Sequence, residues 1–164
     1  MRTGRRVIAL VAVAGVLGAA AGPAQAATPQ WVNLFRAINK VRVAHGLRPI
    51  AASQRLRVAA RHHSHDMLWR GYFAHTSPTG STLTHRVIAS GFVTYGRWWA
   101  GETLAWGSGS YGKPDSVVKA WMHSPEHRAI LLSSRYHLVG IGCSYGTFLG
   151  HPGASVWTVD WGHR

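Results

Sequence analysis

Five acidic side chains in a chain of 164 residues make each carboxylate informative, and one lies in a pattern that could do chemistry. Within Met122–Ala129, MHSPEHRA, the residues His123, Glu126 and His127 spell H-x-x-E-H, the arrangement of an inverted zinc-peptidase helix. That chemistry needs both histidines on one face of a continuous helix, four residues apart, with the glutamate as general base. Pro125 stands between them. Proline lacks an N–H and clashes with the carbonyl four residues back, costing about 3 kcal/mol in a helix interior, whereas the first turn tolerates it. Ser124 is a favoured N-cap, and proline at the first helical position is its usual companion. The spacing therefore predicts a new helix in SPEHRAILL, with His123 left on the preceding one and the i, i+4 geometry lost.

Glu102 poses a different problem, because it sits between Gly101 and TLAW in an otherwise apolar strand-like segment. A charge there is costly unless a cationic, polar or metal partner meets it. The eleven histidines are candidates. His75, in YFAHTSPTG, stands at an aromatic-to-turn transition where a loop can aim a side chain into a cleft. His127 is aimed the same way by its helix-opening turn, so His75, Glu102 and His127 could meet as one cluster. His63 and Asp66, one turn apart on a helix, read as a polar pair that hydrogen-bonds inside the fold.

The elements that must position these residues are legible in the periodicity. Thr28 and Pro29 open a helix over about 29–45, in which Trp31, Leu34, Phe35, Ile38 and Val41 recur at helical spacing up to Gly46. Ser53 caps a second helix that ends at Gly71, and Ser81 opens a short third that stops at Gly91. KPDSVVKAWMH gives a fourth, with Asp115 in its first turn where it favours the helix dipole. Ser124 opens the fifth. RWWAGETLAW, HLVGIGCSYG and SVWTVDWG are rich in β-branched and aromatic residues and read as strands. Helices first and strands later predict an α+β layered fold with a small antiparallel sheet. Residues 107–114, GSGSYGKP, read as a flexible loop.

Residues 1–26 carry Arg2, Arg5 and Arg6, the apolar run VIALVAVAGVLGAAAG and the small-x-small sequence Ala24-Gln25-Ala26, the pattern of a secretory signal peptide. The expected mature part, 27–164, is long enough for one domain with its own core. Setting those three arginines aside from the 18 Lys and Arg residues leaves 15 against five acidic ones, a balance of +10. A secreted chain so basic is expected to meet anionic cell-wall polymer or lipid. No K/R-rich block marks a dedicated nucleic-acid site, and a monomer is expected. Cys143 is the only cysteine, which excludes an intramolecular disulfide; in LVGIGCSYG it reads as a small buried hydrophobe.

The succession NLFRAINKVRVAHGLRPI, LRVAARHHSHDMLWRGYFAHTSPTG, RVIASGF, AGETLAWG, VVKAWMHSPEHRAILL, LVGIG and WTVDWG resembles the bacterial branch of the CAP superfamily, which groups cysteine-rich secretory proteins, antigen 5 and pathogenesis-related 1 proteins. The resemblance implies an α-β-α sandwich whose central cleft holds two histidines and two glutamates. On this chain the first histidine maps on His75, the first glutamate on Glu102, the second histidine on His127, and the second glutamate on Ser124, so one acid of the tetrad is missing. Three readings follow. In the first, the cleft formed by His75, Glu102, Ser124 and His127 binds a divalent cation or a small or lipidic ligand without catalysis. Two imidazoles and a carboxylate, with water in a fourth position, suit zinc. In the second, Glu102 is the base of a metal-dependent hydrolase and a histidine its acid or metal ligand. Ser77, Ser81 and Ser124 are all explained as turn or cap residues, so no catalytic residue is assigned. In the third, the cluster only holds helices to sheet.

Overall fold

The computed structural model describes residues 28–93 and 96–164. The predicted signal peptide, 1–26, lies outside these residues. Helix α1 spans Gln30–Ala44, α2 Gln54–Arg70, α3 Leu83–Ala89, α4 Pro114–His123 and α5 Pro125–Leu131. The strands are β1 Ala51–Ala52, β2 Trp99–Ser108, β3 Leu138–Phe148 and β4 His151–His163, in the order β1-β3-β4-β2. β3–β4 and β4–β2 are antiparallel, as the sequence predicts, while the short β1 adds a parallel edge to β3 that was too brief to be read from sequence.

Side-chain alternation sorts the sheet into two faces. Odd-numbered residues Val139, Ile141, Trp157, Val159 and Trp161 join Leu34 and Ile38 of α1, Val117 and Trp121 of α4 and Leu131 of α5 in the larger core. The even face carries α2 and α3, with Leu56, Ala59, Met67 and Val87 buried there. Helices thus cover both faces of the sheet.

The glycines of LVGIG explain how α2 lies so close. A Cβ on Gly140 would overlap the Leu56–Arg57 backbone, and one on Gly142 would overlap Ala60. The pair makes a smooth track on which α2 rests, and this fixes the height of His63 and Asp66 above the sheet.

Caps account for the helix boundaries. Ser53 Oγ accepts from the Leu56 N–H, and Gly71 closes α2 in the left-handed region at φ 68°. α3 starts one residue later than its predicted opening at Ser81, because Thr82 Oγ1 accepts from the His85 N–H at 3.2 Å. The Ser81 carbonyl instead accepts from Arg86. The expectation of a flexible loop over 107–114 is corrected. Gly107 and Ser108 belong to β2, the Gly112 carbonyl accepts from Trp157 Nε1 at 3.0 Å, and Gly107 leaves no room for a Cβ on Gly112.

Candidate functional site

β2 is an edge strand, so elements from both layers meet beside it. Glu102 projects from β2 on the α2/α3 face with only 2% of its side chain exposed. Its Oε2 accepts from Arg86 Nη2 at 2.6 Å, and its Oε1 accepts from His75 Nδ1 at 2.7 Å. Arg86, on α3, also donates to the carbonyls of Ser81 at 2.9 Å and His75 at 3.1 Å. One guanidinium therefore neutralises the buried carboxylate and fixes the loop that presents His75. The imidazole of His75 remains 60% exposed.

Two further groups close in on Glu102. His63 Nε2 lies 3.9 Å from Oε2 but donates to the Ala74 carbonyl at 2.9 Å, holding the same loop from α2. Tyr72 donates to Asp66 Oδ2 at 2.6 Å, and Arg70 Nε to Oδ1 at 2.7 Å. His63 and Asp66 are thus engaged inside the fold, as their spacing suggests. Asp160 stands directly across from Glu102 in the β2–β4 register, fully buried, and neither oxygen has a hydrogen-bond partner among the described residues.

The electrostatics follow from these contacts. Burial opposes ionisation of Glu102, but the His75 hydrogen bond and the Arg86 charge outweigh it and hold its carboxyl below the usual range. The same hydrogen bond raises His75, with burial working against it. Burial, then the neighbouring Glu102 charge, push Asp160 well above the usual carboxylate range, which favours its neutral form beside the ionised Glu102. Burial lowers His63 despite Glu102.

His127 approaches from the other layer on α5. Its Nδ1 is 2.8 Å from Ser124 Oγ, and its ring stacks on Trp121 with centroids 6.4 Å apart. Trp121 Nε1 in turn donates to the Leu104 carbonyl of β2 at 2.9 Å, fastening this histidine to the edge strand. Burial depresses the His127 pKa, and the His75 charge depresses it further. Each has Nδ1 committed within the protein and Nε2 without a described partner.

Ser124 breaks the chain between α4 and α5 with extended dihedrals, φ −99° and ψ 117°. Its side chain does not cap α5, contrary to expectation; it turns to His127 instead. His123 ends α4, exposed, with Nδ1 donating to the Lys119 carbonyl at 2.7 Å. The H-x-x-E-H residues therefore lie on two helices. Among the described residues, no three His, Cys, Asp or Glu side chains gather as a ready-made metal cage. Cys143 is partly buried, and burial lifts its thiol pKa to about 12, so it stays protonated.

Sequence reasoning missed Arg86 and Asp160. The need for a cation was legible in Glu102, but fifteen scattered basic residues gave no means of choosing one. Asp160 carried the same signal as Glu102, a carboxylate inside an apolar strand, and only the register reveals that the two are neighbours.

Residues 35–161 match CAP, the cysteine-rich secretory protein family. The chain is 36% identical over 104 residues to YkwD of Bacillus subtilis, a match that covers 63% of this chain and 38% of that protein. It is 35% identical over 104 residues to the membrane protein YlbC of the same organism, covering 28% of it. The chain thus spans well under half the length of these relatives. Its fold is similar to that of an extracellular protein containing an SCP domain from Bacillus anthracis, with TM-score 0.66, 28% identity and coverage of 82% of this chain and 40% of that one. It is also similar to an outer surface protein of Borrelia burgdorferi, with TM-score 0.64, 21% identity and coverage of 81% and 91%. With a matching family profile over most of its length and the layered fold of solved relatives, the chain belongs to the CAP family.

Proposed function

We propose that this is a secreted, non-catalytic CAP domain whose cleft, framed by His75 and His127, binds a divalent cation or a small ligand. The observation that carries this reading is the state of the two histidines. Each is oriented through Nδ1, by Glu102 and by Ser124, and each keeps Nε2 free of described partners. A carboxylate behind an imidazole fixes its tautomer and raises its basicity, the support that metal-binding histidines use.

The donor set fits an open zinc site of two imidazoles rather than a closed structural one, since both Glu102 oxygens already serve His75 and Arg86. In this reading Glu102 orients His75, Ser124 orients His127, and water or a ligand completes the coordination. A bound cation would supply a point of attachment for an anionic or carbonyl group of that ligand. Secretion is supported by the signal-peptide pattern in 1–26 and by the extracellular description of the Bacillus anthracis protein. Among the described residues no helix is long and apolar enough to cross a membrane.

A hydrolytic reading draws on one contact, the 2.8 Å approach of Ser124 Oγ to His127. It is weaker, because a serine–histidine pair needs a third group to orient the base, and among the described residues no carboxylate bonds His127. The test is metal analysis of the purified protein with melting curves before and after chelation. A cation at one hundred times its Kd adds about 2.7 kcal/mol to stability. Melting that ignores both zinc and chelator would refute the cation and leave the cleft to a small ligand bound without metal.

A further inference from the structure

A second concave surface lies between α2 and α3, lined by neither His75 nor His127. It encloses about 900 Å³. On α2, Arg61, His65 and Trp69 line it at i, i+4 and i+8, which places them in one row about 12 Å long. His85 and Arg86 face them from α3. The residues of this row are exposed, Trp69 to 72%, whereas Arg86 forms a buried floor whose Nε has no partner among the described residues. The one carboxylate in the lining, Asp66, is already spent on Tyr72 and Arg70. Hydroxyls of Ser77, Thr79 and Ser81 complete the loop side.

We propose that this groove binds an anionic saccharide chain, a sugar polymer bearing carboxylate or phosphate groups. Three observations select that class. Cationic and imidazole donors in a row with no free acid are complementary to a chain of regularly spaced anions. The hydroxyls pair equally well with sugar hydroxyls as donors or acceptors. Trp69 stands 72% exposed at the end of the row with the Arg70 guanidinium 5.1 Å over its ring, a broad amphipathic surface suited to a ring with one apolar side and polar, anionic edges. A membrane is disfavoured because the charges line a concavity rather than a protruding face. A nucleic acid would want several aromatic platforms, and among the described residues Trp69 is the one Phe, Trp or Tyr side chain in the groove lining.

The groove makes this basic chain's charge local, and that is what the experiment reads. The mature protein is titrated with an alginate oligosaccharide, which has a carboxylate on every ring, and with a neutral dextran oligosaccharide of equal length. The paired variant Arg61→Gln with His65→Gln, and Trp69→Ala separately, should each weaken alginate binding about tenfold or more, as the loss of a charge-assisted or stacking contact implies. Arg36→Gln with Lys40→Gln removes charge from a different concavity, beside Lys113 and Asp115, and should leave the affinity within about twofold. All these residues are exposed, so the fold tolerates the changes. Zinc binding in the cleft should be unchanged by the groove variants, which separates failure of this proposal from failure of the cleft reading. Equal losses from both charge-removing pairs, or tighter binding to phosphatidylglycerol vesicles or duplex DNA than to alginate, would overturn it.

Discussion

Replacing Arg86 by methionine keeps most of the side-chain volume and removes the cation that answers Glu102. The guanidinium makes three hydrogen bonds, to Glu102 Oε2, the Ser81 carbonyl and the His75 carbonyl, and the residue is 8% exposed. Removing one partner of a buried, hydrogen-bonded ion pair leaves an uncompensated charge and typically costs about 3–5 kcal/mol. For a domain of this size that corresponds to a melting-point loss on the order of 10–20 °C. Urea denaturation at pH 7 measures it directly. The sign of the pH dependence is fixed by the carboxylate. Glu102 is held below its usual range, so its contribution is present above the unfolded value of about 4.3 and is lost as the pH falls. The gap between Arg86→Met and the parent should therefore narrow from pH 7 to pH 4, as the orphaned carboxylate takes up a proton. Adding Glu102→Gln to Arg86→Met should recover part of the loss, because no charge is then stranded. A single Arg86→Met variant within about 0.5 kcal/mol of the parent would refute the role assigned to this pair, since that is the range of an ordinary surface substitution.

Asp160→Asn tests the neutral acid beside Glu102. Because burial raises the Asp160 pKa, its stabilisation is complete below the unfolded value near 3.9 and is lost as the pH rises through the folded one. The variant should lose this downward slope, gaining on the parent as the pH increases; a parallel pH–stability curve would contradict a protonated Asp160. Gly142→Ala should cost about 3 kcal/mol or abolish soluble expression, since its Cβ would displace the backbone of α2 at Ala60. Equilibrium unfolding reads this, and a neutral outcome would mean that α2 is free to lift off β3. Ser124→Ala should leave melting nearly unchanged, because its hydroxyl does not cap α5, yet weaken cation binding by freeing His127 to rotate. A large stability loss would restore the capping role.

How far the sequence discloses this molecule depends on the range of the interaction concerned. The five helices and three long strands rest on local periodicity and on punctuation such as Ser53, Gly71 and Pro125, and all of them appear in the fold. What the local signal could not settle is where a side chain goes when two partners compete for it. Ser124 has the dihedrals of a cap, but its hydroxyl bonds His127, and Thr82 rather than Ser81 takes the N–H at the start of α3. The apolar setting of Glu102 announced a partner without naming it, because Arg86 lies sixteen residues away on a helix that shows no special pattern. The segment HLVGIGCSYG reads as a strand, but that Gly140 and Gly142 form a track for α2 emerges only when the helix is laid on it.

The most direct test of the cleft reading is a calorimetric zinc titration of the parent beside His75→Ala, His127→Ala and His123→Ala. His123 and His127 are four residues apart, but Pro125 starts a separate helix, and His123 is already bonded to the Lys119 carbonyl on the exposed end of α4. One site is expected in the parent, with loss of binding on replacing His75 or His127 and affinity within about threefold of the parent for His123→Ala, where no metal ligand is removed. Equal loss from His123→Ala and His127→Ala, accompanied by peptidase activity in the parent, would contradict the cleft reading and return the chain to the H-x-x-E-H reading.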